Sequence, residues 1–349
     1  MNTPKKPKLT YAEAGVDIKA GEEAVQRIKS LARKTFNKNV LSEIGSFGGF
    51  YKPDFDISGQ PVLISSADGV GTKLKLAFIT GRHNTVGEDL VNHCVNDILV
   101  HGAHSLFFLD YIGTGKLSPD TIADIVEGFS RGCQNAGMAL LGGETAEMPG
   151  FYQEGEYDLA GFIVGVVDED RIITGSTIKE GDVCIGLASN GLHTNGYTLA
   201  RKVAFEVAGL RPDSYLDETG ETIGDSLMKV HRCYAPTVHS LLKEFDIFGM
   251  AHITGGGIQG NLNRVLPSGV DAEISRGSWP IPPIFAYLQK AGNIDADDMF
   301  TTFNMGIGFV LVVNNTDADR ILGWLAEKGE AAYRIGQIVK GTGVVRLIG

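Results

Sequence analysis

The sequence predicts a two-domain α/β protein with mixed sheets. Three observations carry that expectation. Short apolar runs alternate with amphipathic helical stripes along the whole chain. Acids or glycines follow several of the apolar runs. The charged run Asp168-Glu169-Asp170-Arg171 separates two halves of similar organisation. At 349 residues the chain can bury two cores, and the expected domains are 1–170 and 171–349.

In chain order, Ala24, Val25, Ile28, Leu31 and Ala32 form a stripe that predicts a helix over Ala20–Ala32. A glycine-rich stretch, Ile44–Phe50, follows. The strand Val62-Leu63-Ile64 then delivers Asp68 into a turn. Thr85 is the expected cap of a helix running to about His101. A strand at Ser105–Asp110, a helix at Pro119–Gly137 and a strand at Met138–Leu141 come next, with Gly142-Gly143-Glu144-Thr145 read as a loop. Tyr157–Val167 completes the first half as a longer strand. In the second half, a strand at Val183–Ala188 leads to the loop Ser189–Gly196 and a helix from about Tyr197. Asp213–Gly224 reads as a polar surface excursion. His252-Ile253-Thr254 precedes a glycine turn and a helix, and Met305–Val313 is the last clear strand.

Composition narrows the function. A formal charge of −11 argues against broad affinity for nucleic acid or anionic membrane. It leaves a phosphorylated substrate open, because local lysines and a divalent metal reverse the field inside a cleft. Gly, at 46 residues, is about twice its usual share. Cys94, Cys133, Cys184 and Cys233 show no CxxC pairing and read as buried free thiols of a reducing compartment. The N-terminal tail lacks an apolar core, and no run approaches the ~20 apolar residues of a membrane span. The expectation is a soluble cytoplasmic protein.

The candidate chemistry centres on Ser65–Lys75. Asp68 is expected to hold a divalent cation beside Gly69, Gly71 and Thr72, with Lys73 and Lys75 able to meet phosphate. In the helix after Thr85, Leu90, Val91, Cys94, Val95, Ile98 and Leu99 share an apolar face. Glu88, Asp89, Asn92, His93, Asn96 and Asp97 share the other, which reads as solvated or as a source of oxygen ligands for Mg²⁺. Asp97 borders the apolar face, where a carboxylate needs a partner. With Asp68 and Asp110 it makes a candidate metal site. His93 reads as a structural hydrogen-bonding residue.

Gly45, Gly48 and Gly49 suggest a phosphate-covering loop, although neither GxxxxGK[ST] nor GxGxxG is present. Thr254, Gly255, Gly256 and Gly257, before a helix, suggest a seat for a substrate phosphate. Asn190, His193, Thr194 and Asn195 gather amides, a hydroxyl and an imidazole in one loop. Acid–base work, phosphate contact and structural bonding all remain open for His193. No Gly-x-Ser-x-Gly elbow supports an acyl enzyme.

Taken together, the motifs resemble the phosphoribosylformylglycinamidine cyclo-ligase (aminoimidazole ribonucleotide synthetase) family. The matching stretches are YAEAGVDIKAG at Tyr11–Gly21, SSADGVGTKLK at Ser65–Lys75 and CVNDILVHGA at Cys94–Ala103. FFLDYIGTGKL at Phe107–Leu117, LLGGETAEMPG at Leu140–Gly150 and GLHTNGYTLAR at Gly191–Arg201 extend the likeness. HITGGGIQGNLNRVLP at His252–Pro267 and FNMGIG at Phe303–Gly308 complete it. The resemblance implies a larger ATP-using group that includes selenophosphate synthetase and thiamine-monophosphate kinase. It implies two α/β domains, with the N-terminal domains of a homodimer joined in a β-barrel.

The implied reaction converts formylglycinamidine ribonucleotide and ATP, with Mg²⁺, to 5-aminoimidazole ribonucleotide, ADP and phosphate through an imidate phosphate, in purine biosynthesis. By resemblance, Asp68, Glu88, Asn92 and Asp97 are metal ligands and Lys29 faces the nucleotide. His193, Lys73, Asp110 and Glu144 are the catalytic candidates. A sibling kinase or synthetase is the alternative, and a nonenzymatic partner protein a more distant one. Selenophosphate synthetase is disfavoured because no cysteine precedes Cys94. The intact Asp68, Asp97 and Gly191–Gly196 loop speak against a nonenzymatic protein.

Overall fold

The computed structural model describes residues 18–45, 48–53, 55 and 59–349. The expectations for the N-terminal tail, most of the Tyr11–Gly21 motif, Ser46-Phe47 and part of Phe50–Gly59 lie outside the described residues.

The first half begins with α1 (Ile18–Arg33), β1 (Pro61–Gly69) and α2 (Leu74–Thr80). It continues with α3 (Val86–Leu99), β2 (His104–Thr114), α4 (Pro119–Asn135), β3 (Ala139–Glu147) and β4 (Tyr157–Asp168). Its sheet runs β1-β4-β2-β3, antiparallel except for the parallel β2/β3 pair. Three strands outrun their expected ends. Asp68 lies within β1, opposite Gly161, and the turn begins only at the short 3₁₀ segment Gly71–Lys73. β2 continues past Asp110, and Gly142-Gly143-Glu144-Thr145 is strand rather than loop. Pairing with a neighbour supplies the hydrogen bonds that make these acids and glycines extended.

Helices α3 and α4 cover one face of this sheet. Ser118 caps α4 by accepting from the Thr121 N–H, with Pro119 as its first residue. Thr85 does not cap α3: its hydroxyl is buried without a hydrogen-bond partner among the described residues. The two helices touch backbone to backbone. A Cβ on Gly87 would stand 2.1 Å from the Ile125 carbonyl oxygen, and one on Gly128 2.9 Å from the Glu88 nitrogen. The other sheet face is open and apolar, with Leu63 62% and Phe162 45% exposed.

The second half contains β5 (Val183–Ala188), α5 (Tyr197–Arg201), β6 (Tyr215–Leu216), β7 (Glu221–Thr222), α6 (Ile223–Met228), α7 (Ala235–Leu241) and β8 (Ile247–His252). Next come α8 (Gly257–Leu262), β9 (Val270–Ser275), α9 (Pro283–Gly292), α10 (Ala296–Thr302), β10 (Ile307–Val313), α11 (Asn315–Glu327), β11 (Ala332–Lys340) and β12 (Val345–Ile348). The sheet order is β12-β9-β11-β5-β10-β8, with only β12/β9 parallel. β10 is buried along its whole length between β5 and β8, as its unbroken Ile-Gly-Phe-Val-Leu-Val-Val sequence requires. The polar excursion folds into the β6/β7 hairpin.

Cys94, Cys133 and Cys184 are buried free thiols, whereas Cys233 is partly exposed. No helix among the described residues is long and apolar enough to cross a membrane.

The helix contact yields a paired prediction. Gly87→Ala forces a methyl into the Ile125 carbonyl and should cost about 1–3 kcal/mol, read as a lower Tm. Gly21→Ala, in α1 with nothing within 4 Å of the new methyl, should raise stability by about 0.5–1 kcal/mol. Equal effects of the two in thermal melts would contradict the close-contact account.

Candidate active site

Helix α3 is the seam between the halves. Its polar face is buried, not solvated: Asp89 and Asn96 are inaccessible and Asn92 and His93 nearly so. That face grips the backbone of residues 229–234 from the second half. The Asn92 amide donates to the His231 carbonyl at 2.8 Å, and the Asn96 amide to the Arg232 carbonyl at 2.8 Å. Asn96 Oδ1 accepts from the Tyr234 N–H at 3.0 Å, and Asp89 Oδ1 from the His231 N–H at 2.6 Å. Lys73, fully buried, completes the contact. Its ammonium donates to Asp89 at 2.8 Å, to the His193 carbonyl at 3.2 Å and to the Lys229 carbonyl at 2.6 Å.

This docking brings three imidazoles and a hydroxyl between two carboxylates. Asp97 Oδ1 meets His252 Nδ1 at 2.9 Å, and His252 Nε2 meets His231 Nε2 at 3.0 Å. His231 Nδ1 meets the Thr194 hydroxyl at 3.2 Å, which meets His93 Nδ1 at 2.7 Å. His93 Nε2 closes the chain on Asp68 Oδ2 at 2.8 Å. Five hydrogen bonds need five protons, and three neutral imidazoles and one hydroxyl supply four. With both carboxylates ionised, the network therefore carries one extra proton.

Electrostatics favour His93 over His231 and His252 as its carrier. Burial alone would lower its pKa, but Asp68 and Asp97 outweigh burial and raise it. Burial drives His231 well below the ordinary range, and it lowers His252 despite the bond to Asp97. Burial also opposes ionisation of Asp68 and Asp97, yet their histidine partners hold both below the usual carboxylate range. Asp68, His93, Asp97 and His252 line a cavity of about 490 Å³ between the halves, together with Ser66, Thr254, Asn261 and Arg264. A larger cavity of about 950 Å³, beside His104 and His239, contains none of the expected site residues.

The structure brings Asp68, Asp97 and Thr254 to this cleft, and places Thr194 in the network behind it. Others are held elsewhere, each for a physical reason. Glu88 is drawn away from Asp68 and Asp97 by Arg131, at 2.6 Å, and Asn92 is committed to the domain seam. Lys73 is sealed in its buried ion pair instead of facing a phosphate, and Lys75 pairs with Glu156 at 2.6 Å. Thr72 bonds Thr198 across the seam, next to Gly69 and to Gly71 at φ +68°.

Asp110 sits on the buried face of β2, where desolvation pushes its carboxyl up to about 7. Glu144 pairs in register with Tyr111, on the opposite sheet face. His193 is buried in a left-handed conformation (φ +63°), stacked on His231. Burial and neighbouring positive charge keep it neutral. Asn190 donates to the Val230 carbonyl, and Asn195 Nδ2 is buried without a partner among the described residues. The Gly256 and Gly257 N–H groups already donate, to the Thr301 and Thr254 carbonyls, which leaves Gly255 as the glycine of that turn whose N–H has no backbone acceptor among the described residues.

Gly49 lies against Leu141 of β3, and Gly45 against Lys29 of α1, the helix that packs on the same strand. A Cβ on Gly45 would stand 3.1 Å from the Lys29 ammonium, and one on Gly49 3.0 Å from the Leu141 carbonyl oxygen. Gly48 is exposed in the same segment. This edge lies three strand spacings, about 14 Å, from β1 and Asp68.

His252, His231 and Arg264 are functional candidates that sequence reasoning missed. His252 opens the quoted run His252–Pro267 at a strand end, which was the available signal, and Arg264 lies in the same run. His231 carries no local signal. It joins the site through Asp89 and Asn96, more than a hundred residues away in sequence, and through Thr194 and His252, 37 and 21 residues away.

Comparison with known proteins agrees with this layout. Residues 52–167 match the N-terminal domain, and residues 179–348 the C-terminal domain, of AIR synthase related proteins. The chain is 56% identical over 333 residues to the phosphoribosylformylglycinamidine cyclo-ligase of Syntrophotalea carbinolica, covering 95% of each chain. It is 53% identical over 338 residues to that of Geobacillus kaustophilus, covering 96% of each. Among solved structures, thiamine-monophosphate kinase from Stenotrophomonas maltophilia shares the fold with a TM-score of 0.70 at 18% identity, over 94% of this chain and 96% of that one. Hydrogenase maturation protein HypE, in complex with ATP, shares it with a TM-score of 0.65 at 18% identity, over 92% and 90%.

The proton assignment is testable. Asp68→Asn removes a hydrogen-bonded carboxylate that raises the His93 pKa, so that pKa should fall in an NMR titration of the ring Cε1–H. An unchanged or higher value would contradict the network as drawn.

Proposed function

The chain belongs to the AIR synthase related family, among its phosphoribosylformylglycinamidine cyclo-ligases, and from that premise we propose how its residues divide the work. It is an ATP-dependent carbon–nitrogen ligase that closes formylglycinamidine ribonucleotide to 5-aminoimidazole ribonucleotide, releasing ADP and phosphate. The carrying observation is identity of 50–56% to curated cyclo-ligases over about 95% of the chain, spanning both domains.

The chemical obstacle is the formamide oxygen, a poor leaving group. Transfer of the γ-phosphoryl group to it releases ADP and makes an imidate phosphate; the amidine nitrogen of the same molecule then attacks the formyl carbon and loses a proton, and the C–O bond to phosphate breaks as the ring closes. Holding both groups in one cleft supplies a large part of the rate before any proton moves. Asp68 and Asp97 suit Mg²⁺, which commonly takes one or two carboxylates plus phosphate oxygens, and which would offset charge on the transferred group. Arg264, Thr254 and Gly255 face the substrate phosphate from the second domain. The boundary lies at 170/171, between β4 and the strands of the second sheet.

The open apolar face that carries Leu63 and Phe162 pairs with a second copy, forming a homodimer whose first sheets join in a barrel. That arrangement reconciles the two distant edges of one sheet, because the nucleotide then spans the subunit boundary, with Lys29, Gly45, Gly48 and Gly49 on one side. The enzyme works in the cytoplasm.

Incubation with formylglycinamidine ribonucleotide, ATP and Mg²⁺ should yield aminoimidazole ribonucleotide and ADP in equal amounts. ATP loss without ring closure would point to a sibling kinase. The Leu63→Lys/Phe162→Glu double variant should sediment as a monomer and lose most of its activity. A dimer of wild-type stability would refute the barrel interface.

A further inference from the structure

The cleft holds nitrogen donors that a Mg²⁺–nucleotide site does not need. One ligand atom each from His93, Asp97 and His252 lies within 4.8 Å of the others, against edges of about 3.3 Å in a tetrahedral Zn²⁺ site. Asp68 Oδ2 stands beside them, 2.8 Å from His93 Nε2. His93, Asp97 and Asp68 come from the first half and His252 from the second, so a shared cation would tie the two together.

The surrounding hydrogen bonds prepare both imidazoles for ligation. With His93 Nε2 and His252 Nδ1 on a metal, their other nitrogens carry the protons. His93 Nδ1–H donates to the Thr194 hydroxyl, and His252 Nε2–H donates to His231 Nε2. His231 then holds its own proton on Nδ1 and donates to Thr194. Its Nε2 also lies 3.2 Å from the Asn96 amide, which donates to it in this arrangement. Every imidazole is neutral, and the single lone pair of His231 Nε2 is shared between the His252 and Asn96 donors. Anchored outer nitrogens of this kind orient metal-binding histidines.

We propose that His93, Asp97 and His252, with Asp68, form a site for a borderline divalent cation of the Zn²⁺ class that bridges the two domains in the absence of nucleotide. Imidazole nitrogens select such a cation over Mg²⁺, which prefers an all-oxygen octahedron. The inference rests on the donors and their anchors and stands apart from the cyclo-ligase assignment.

The test uses the EDTA-treated, dialysed full chain without nucleotide, titrated with ZnCl₂ by calorimetry. Wild type should bind one Zn²⁺ per chain, and 1 mM Mg²⁺ should not displace it. His93→Gln and His252→Gln should each weaken binding at least about tenfold, with circular dichroism melts confirming the fold. A second readout needs no variant: in the Co²⁺-loaded wild type, the ring protons of His93 and His252 should be paramagnetically shifted. Absence of saturable binding, affinity unchanged in both variants (which would place zinc elsewhere, as at Cys233), or unshifted ring protons would overturn the proposal.

Discussion

The buried pair of Lys73 and Asp89 is the contact on which the cleft depends. Both side chains are fully buried, and the ammonium also meets two carbonyls of the second half. Burial alone disfavours both charges, so such a pair is a poor source of net stability. Its value is positional. Removing one partner strands a buried charge, so the two halves are held in the arrangement that pairs the two charges.

From that anchor the site follows by geometry. Asp89, Asn92 and Asn96 recur along one face of α3 and bind successive backbone groups of residues 229–234. Their grip sets His231, and His231 in turn aligns His252 and Thr194 with the carboxylates of the first half. The same helix thus joins the domains and presents Asp97 and His93 to the cleft. Close packing on α4, allowed by Gly87 and Gly128, keeps it against the sheet.

What the sequence made legible was local. The apolar stripe of α3, the buried run of β10 and the division into two mixed sheets follow from periodicity and composition. Asp68 and Asp97 were readable as partners because a carboxylate at a strand end or beside an apolar face needs one. The polar face of α3 was misread because its occupant lies more than 130 residues away. No spacing distinguishes a solvated amide from one that docks a distant backbone. Lys73 failed for the same reason, since a lysine after a glycine turn looks free until its buried acceptors are known. Glycine-rich ends such as Gly142-Gly143 read as loops because intrinsic propensity carries no trace of the neighbouring strand, β2, that overrides it.

Hydrogen exchange in Lys73→Met tests the anchoring role most directly. The variant leaves Asp89 buried without its cation, a loss of about 3–5 kcal/mol. The His231 and Tyr234 amides, which donate to Asp89 and Asn96, should exchange at least about a hundredfold faster while those of β10 stay protected. Wild-type protection at His231 and Tyr234 would contradict that role.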